Sequence, residues 1–72
     1  MNKKLLRSIM ALRGETNRDL ANILGISEQS VSAKMNETGS EFKQGEISII
    51  RSHYNLTPEQ VTNIFFAPEC LK

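Results

Sequence analysis

Gly25 separates two short segments whose apolar residues recur at helical spacing, and this feature limits the possible folds more than any other. Thr16 is a good N-cap for the first segment, with Asp19 three residues later as in a capping box. Ser27 is the N-cap of the second segment, which we expect to be a helix from Glu28 to Met35 or Asn36. The sequence therefore predicts two helices joined by about four residues, the helix-turn-helix arrangement.

The residues around the turn explain how the two helices pack. Ala21 is small because the second helix of the pair crosses close to it, and Gly25 permits a backbone turn with positive φ. Ile26 and Val31 hold the two helices together. With Val31 and Met35 pointing inward, we expect five side chains to point largely outward: Glu28, Gln29, Ser30, Ala33 and Lys34.

The remaining chain predicts one helix before this pair and two after it. The first runs from about Lys3 to Arg13 and ends at Gly14. Its expected apolar face is Leu5, Leu6, Ile9 and Leu12, with Met10 beside them. A fourth helix begins near Lys43 or Gln44. The fifth begins at Thr57-Pro58, with Gln60 completing a capping box, and buries Val61, Ile64 and Phe65 before Pro68.

Length and residue content bound the class of protein. The chain has 72 residues and one cysteine, Cys70, so it is a single domain without an intrachain disulfide. We expect the domain to span 1–68 and a C-terminal tail to span 69–72. The longest apolar runs are pairs and triplets, and Arg7 interrupts the N-terminal segment before a long apolar region forms. We therefore expect no signal peptide, and a cytoplasmic protein with no membrane partner.

Enzymatic activity is not expected from this sequence. It contains neither a nucleophile elbow nor a glycine-rich phosphate loop. His53 has no second histidine at ligand spacing, and Cys70 is expected to be a free thiol without function. We therefore expect no cofactor, no metal ion and no small-molecule substrate.

Charge is divided unevenly along the chain. Residues 1–36 contain six basic and three acidic side chains, whereas residues 37–72 contain three basic and five acidic ones. The first half therefore suits an anionic partner better than the second. The sequence pI of about 7.9 is below the value of about 9 that marks many nucleic-acid-binding domains, so composition alone does not decide the partner.

The helix-turn-helix segment resembles the Cro and CI repressor family of phages, whose DNA-binding domains are often called XRE-type. The resemblance lies in Leu20-Ala21, Leu24-Gly25-Ile26-Ser27 and Val31-Ser32, and it extends to residues 42–66. It implies an all-α fold, a single five-helix helix-turn-helix domain of lambda-repressor-like type. It also implies a Cro-like phage regulator in a bacterial host, which binds double-stranded operator DNA and acts in the lytic/lysogenic switch.

The resemblance also implies roles for individual residues. Those expected to read base edges lie on the helix at about 28–35: Glu28, Gln29, Ser30 and Ala33. Those expected to contact phosphate are Asn17, Arg18, Lys34, Asn36, Thr38, Ser40 and Lys43. Glu37 and Glu41 lie beside the expected phosphate path, which predicts modest affinity for DNA.

Two adjacent aromatic residues, Phe65 and Phe66, are candidates for a partner interface. Neighbouring residues on one helix cannot both face the same core, so we expect either that one is exposed or that Phe66 folds back onto the core. The partner would be a second copy or a phage repressor protein. The resemblance also allows a second interpretation of function, an antirepressor, or modulator of repression, that binds a repressor protein through the same polar helix faces or through these aromatic residues.

Overall fold

The computed structural model describes residues 1–66, and these residues form an all-α fold of five helices with a helix-turn-helix. The predicted fold class is therefore confirmed. The helices are α1 Lys3–Leu12, α2 Asn17–Leu24, α3 Glu28–Asn36, α4 Gln44–Tyr54 and α5 Pro58–Val61, which a π-helical turn, Thr62–Phe66, continues. The expected domain end at Pro68, the tail 69–72 and Cys70 lie outside the described residues.

Local signals fix the helix boundaries as the sequence predicts. Thr16 and Asp19 form the capping box of α2, and the Ser27 hydroxyl accepts the backbone N–H of Ser30 at the start of α3. Gly25 ends α2 with φ of 72°, the left-handed conformation that a glycine adopts at low cost. Thr57 begins α5 with Pro58 in its first turn.

The core lies where all five helices meet. Its fully buried side chains come from α1 to α4 and from the π-helical turn that continues α5: Leu6, Leu20, Val31, Met35, Ile50, Tyr54 and Ile64. The backbone N–H of Asn2 donates to the Ile64 carbonyl at 2.7 Å, which joins the beginning of the fold to its end. Ala21 is also buried, as its predicted place beneath α3 requires. No helix among residues 1–66 has the length and apolar content to cross a bilayer.

One predicted core residue, Leu12, is on the surface, where its side chain is 86% exposed. The buried residues of α1 are Leu6 and Met10, one turn apart. At about 100° per residue, Leu12 lies about 200° around the helix from Met10 and so points away from the core. Leu5 and Ile9 are half-buried at the edge of the buried face.

Candidate nucleic-acid interface

The helix α3 has one buried face and one face open to solvent. Val31, Lys34 and Met35 are buried against the core. The opposite face carries side chains at offsets of three and four residues, so that they form one row along the helix. We call this row the α3 ridge: Gln29, Ser32, Ala33 and Asn36.

The N-terminal half of the α3 ridge presents polar side chains without partners among the described residues. Gln29 and Ser32 are exposed and Ala33 is half-buried. Glu28 is exposed beside the ridge. Of these, Ser32 was not among the predicted base-reading residues, although its spacing of three from Gln29 places it on the same face.

Ser30, a predicted base-reading residue, is used to cap α3. It is half-buried, and its hydroxyl accepts a hydrogen bond from the Ser27 hydroxyl at 3.0 Å. Its backbone N–H donates to the same Ser27 oxygen at 3.1 Å. Ser30 therefore fixes the beginning of α3, and its side chain lies to one side of the α3 ridge.

The expectation that Lys34 points outward is wrong, and its contact with phosphate stays a prediction. Its side chain is buried, and Nζ lies 3.3 Å from Oε1 of Glu46 and donates to the Glu41 carbonyl at 3.3 Å. Both side chains of the ion pair are mostly buried, since 11% of the Lys34 side chain and 16% of the Glu46 side chain are exposed. Because Glu46 cancels its charge, Lys34 joins α3 to α4 instead of supplying a cation to the surface.

The loop after α3 is held at both ends by hydrogen bonds. The Thr38 hydroxyl donates to the Ala33 carbonyl at 3.4 Å, and the Lys43 backbone N–H donates to Oε1 of Glu46 at 2.9 Å. Thr38 and Lys43 are exposed and Ser40 is half-buried. These three predicted phosphate contacts therefore lie on one fixed loop, beside the end of α3.

The start of α2 carries two more predicted phosphate contacts. Asn17 is the first residue of α2 and is half-buried, while Arg18 is exposed. Both lie between the two residues of the capping box, Thr16 and Asp19, in which the Thr16 backbone N–H donates to Asp19 at 2.9 Å. The capped end leaves Arg18 available to an external anion.

A polar group of residues, which we call the Glu15 cluster, lies directly before α2: Arg13, Glu15, His53 and Tyr54. His53 Nε2 is 3.0 and 3.1 Å from the two Glu15 oxygens, and the Tyr54 hydroxyl donates to Glu15 at 2.8 Å. Arg13 donates to the Tyr54 carbonyl at 2.7 Å and lies over the Tyr54 ring. The cluster thus joins the α1–α2 connection to α4.

The ionisation of the Glu15 cluster follows from these hydrogen bonds. The bond from His53, followed by that from Tyr54, lowers the pKa of the Glu15 carboxyl from its ordinary value. Burial, and then the bond to Glu15, raise the pKa of the Tyr54 phenol. Glu15 is therefore an anion and Tyr54 a neutral donor at neutral pH.

The C-terminal end of α3 is bound to the start of α1. The Lys3 ammonium donates to Oδ1 of Asn36 at 2.6 Å, and the Met1 amino group lies 3.3 Å from Oε2 of Glu37. Asn36, a predicted phosphate contact, is exposed and is the last residue of the α3 ridge. Sequence spacing did not indicate the contact with Lys3, because the two residues are 33 positions apart.

The two aromatic candidates, Phe65 and Phe66, differ in exposure. This confirms the expected alternative in which one of them is exposed. Phe65 is half-buried, with its ring edge-to-face on Phe42 at a centroid distance of 5.9 Å. Phe66 is 59% exposed. The alternative in which Phe66 folds onto the core is therefore wrong, and Ile64 is the fully buried residue of this turn.

Comparisons of the chain with protein-family models, with characterised proteins and with solved structures give no match. The contacts of the described residues and the sequence resemblance are therefore the grounds for a functional proposal.

Proposed function

We propose that this chain is a Cro-like transcriptional regulator that binds operator DNA by placing α3 in the major groove. The observation that carries the proposal is the α3 ridge, where Gln29 and Ser32 are exposed and make no side-chain hydrogen bond within residues 1–66. The major groove of B-DNA is wide enough for one α-helix and displays donors and acceptors that such side chains can read.

The residues at the start of α3 suit particular bases. Gln29 can donate to and accept from adenine, and the Ala33 methyl group can contact the methyl group of thymine. Glu28 can accept from the amino group of cytosine. Arg18 precedes α3 in the sequence and Lys43 follows it, and both are exposed cations. Each can contact a DNA phosphate, and such contacts fix the position of the helix in the groove.

A homodimer completes the proposal. One short helix offers few base contacts, and a two-fold dimer doubles them by reading two half-sites about one DNA turn apart. Phe66 supplies an exposed aromatic ring for such a contact, next to the half-buried Phe65. We expect Phe66→Glu to be monomeric in sedimentation at concentrations where the unaltered chain is dimeric.

The test is selection of bound duplexes from a randomised pool at low salt, followed by measurement of Kd for the selected sequence. We expect a defined sequence to be enriched and its affinity to fall steeply as salt rises, because counterions are released from the phosphates. Gln29→Ala should relax the preference at one base pair, at a cost of about 1–3 kcal/mol in binding. Asn22→Ala, which alters an exposed amide on α2, is the matched control and should bind as the unaltered chain does.

The second candidate function is a modulator that binds a repressor protein through the same surface. The observation that favours it is the ion pair of Lys34 with Glu46, which removes one cation from the predicted DNA-binding surface. Three exposed carboxylates, Glu28, Glu37 and Glu41, remain on α3 or in the loop after it, so the predicted phosphate contacts have fewer free cations beside them than the sequence suggests. A basic protein surface is the partner that suits such a charge balance.

Nuclease treatment separates the two functions. If the chain binds DNA, capture of host-cell components by the purified chain depends on intact nucleic acid, and the chain shifts duplexes by itself. If it is a modulator, a repressor protein is retained after nuclease treatment and no duplex is shifted at low salt. The second result contradicts operator binding.

A further inference from the structure

A side chain of α1 reaches the end of the α3 ridge. Lys3 lies in the first turn of α1, and its ammonium donates to Oδ1 of Asn36, the last residue of α3, at 2.6 Å. A hydrogen bond from a charged donor at this distance is stronger than a neutral one. The cation of Lys3 is therefore fixed beside a residue that the sequence resemblance associates with phosphate.

This hydrogen bond determines which group Asn36 presents to solvent. A carboxamide has one acceptor oxygen and one NH₂ donor, whereas an ammonium group has donors only. Oδ1 of Asn36 must therefore face Lys3, and the NH₂ group is directed to the other side of the carboxamide. Lys3 itself keeps two further N–H donors. The pair consequently presents donors, and a DNA phosphate presents only acceptors.

We propose that Lys3 and Asn36 form a phosphate-binding pair for the DNA backbone. In this pair Asn36 contacts the phosphate directly, and Lys3 both orients Asn36 and supplies the positive charge. The inference rests on the proposed function and adds to it a residue of α1, outside the helix-turn-helix. Lys3 takes the role expected of Lys34, whose charge is cancelled by Glu46.

The acidic neighbour of the pair is already engaged. Oε2 of Glu37 lies 3.3 Å from the Met1 amino group, so part of its charge is offset within the chain. Lys4, the residue after Lys3, is exposed and makes no hydrogen bond or ion pair with other residues of 1–66. It carries the same charge as Lys3 at almost the same place in the sequence, which makes it a matched control.

The experiment measures Kd for the selected duplex from about 50 to 200 mM salt. We expect Lys3→Gln to reduce the magnitude of the slope of log K against log salt by about 1, the loss of one phosphate contact. Lys3→Arg should restore the slope, and Lys4→Gln should leave it unchanged. Asn36→Asp should keep the bond to Lys3 and the thermal stability but weaken binding about tenfold or more, because its carboxylate repels phosphate.

The outcomes separate the two proposals. If the chain binds a selected duplex and Lys3→Gln has the same slope as Lys4→Gln, the phosphate-binding pair is refuted and operator binding stands. If Asn36→Asp binds as tightly as the unaltered chain, the contact with Lys3 is only structural, which also refutes the pair. If the unaltered chain binds no duplex at low salt, both proposals fail.

Discussion

The α3 ridge and the Glu15 cluster are both polar, but they use their polar groups in opposite ways. In the Glu15 cluster each group has a partner in the chain: Glu15 accepts from Tyr54 and lies against His53, and Arg13 donates to the Tyr54 carbonyl. On the N-terminal half of the α3 ridge, Gln29 and Ser32 have none among residues 1–66. Paired groups contribute to folding, whereas exposed unpaired groups are available for binding.

This difference makes a measurable distinction between the two regions. Substitutions in the Glu15 cluster should lower the free energy of unfolding and leave sequence preference on DNA unchanged. Substitutions on the α3 ridge should leave the free energy of unfolding nearly unchanged and alter the sequence preference on DNA. Lys34 is the instructive case, because it belongs to α3 by sequence and to the paired groups by its contacts.

The largest effect on stability is expected for Lys34→Ala. The substitution leaves the mostly buried Glu46 carboxylate without its cation and opens space in the core, so we expect a loss of about 2–3 kcal/mol in the free energy of unfolding. Chemical denaturation measures this loss. Lys43→Ala, which removes an exposed cation nearby, should change stability by less than about 0.5 kcal/mol.

The double variant Lys34→Met with Glu46→Gln sharpens this result, because glutamine keeps an oxygen that can accept the Lys43 backbone N–H at the start of α4. Removing both charges avoids the unpaired carboxylate, and we expect it to recover most of the stability lost in Lys34→Ala. A double variant as unstable as Lys34→Ala would show that the ion pair does not account for the loss.

The next largest effect is expected for Tyr54→Phe. The ring stays in the core, but Glu15 loses the hydroxyl that donates to it at 2.8 Å. A hydrogen bond to a charged group contributes about 1.5–3 kcal/mol, and Glu15 is partly exposed, so we expect a loss of about 1–2 kcal/mol. Thermal unfolding checks it. An unchanged melting temperature would mean that the Glu15 cluster does not stabilise the fold.

The sequence was sufficient to predict the five helices and most of their boundaries. Helix boundaries depend on local signals such as Thr16 with Asp19, or Thr57 with Pro58, and these are readable in single segments. The exposure of Leu12 was not predicted, because periodicity finds an apolar face without locating the centre of its buried part.

The candidate interface was less predictable, because its charges depend on contacts between distant segments. Lys34 is 12 positions from Glu46, and Lys3 is 33 positions from Asn36. No spacing pattern in a single sequence indicates that residues so far apart are in contact. Ser32 is different, since helical spacing from Gln29 was enough to find it.

Acid should weaken the Glu15 cluster in a defined direction. The hydrogen bond from His53, and then that from Tyr54, lower the pKa of Glu15 from 4.5, so the unfolded chain takes up a proton at this residue before the folded chain does. The stabilisation is therefore present above pH 4.5 and is lost as pH falls through the lowered pKa. Glu15→Gln should flatten this part of the stability curve, measured by denaturation from about pH 6 to pH 2. A curve of unchanged steepness would assign the acid sensitivity to other carboxyls.

The smallest effect on stability is expected for Gln29→Ala and Ser32→Ala. Both side chains are exposed and make no bond within residues 1–66, and alanine is the better helix former, so the free energy of unfolding should stay within about 0.5 kcal/mol. Denaturation beside the duplex-binding assay separates the two properties. A loss of more than about 1 kcal/mol would place the α3 ridge among the paired structural groups. Stability that is unchanged while base preference relaxes would mean that the polar side chains of the ridge serve binding, because folding gains nothing from them.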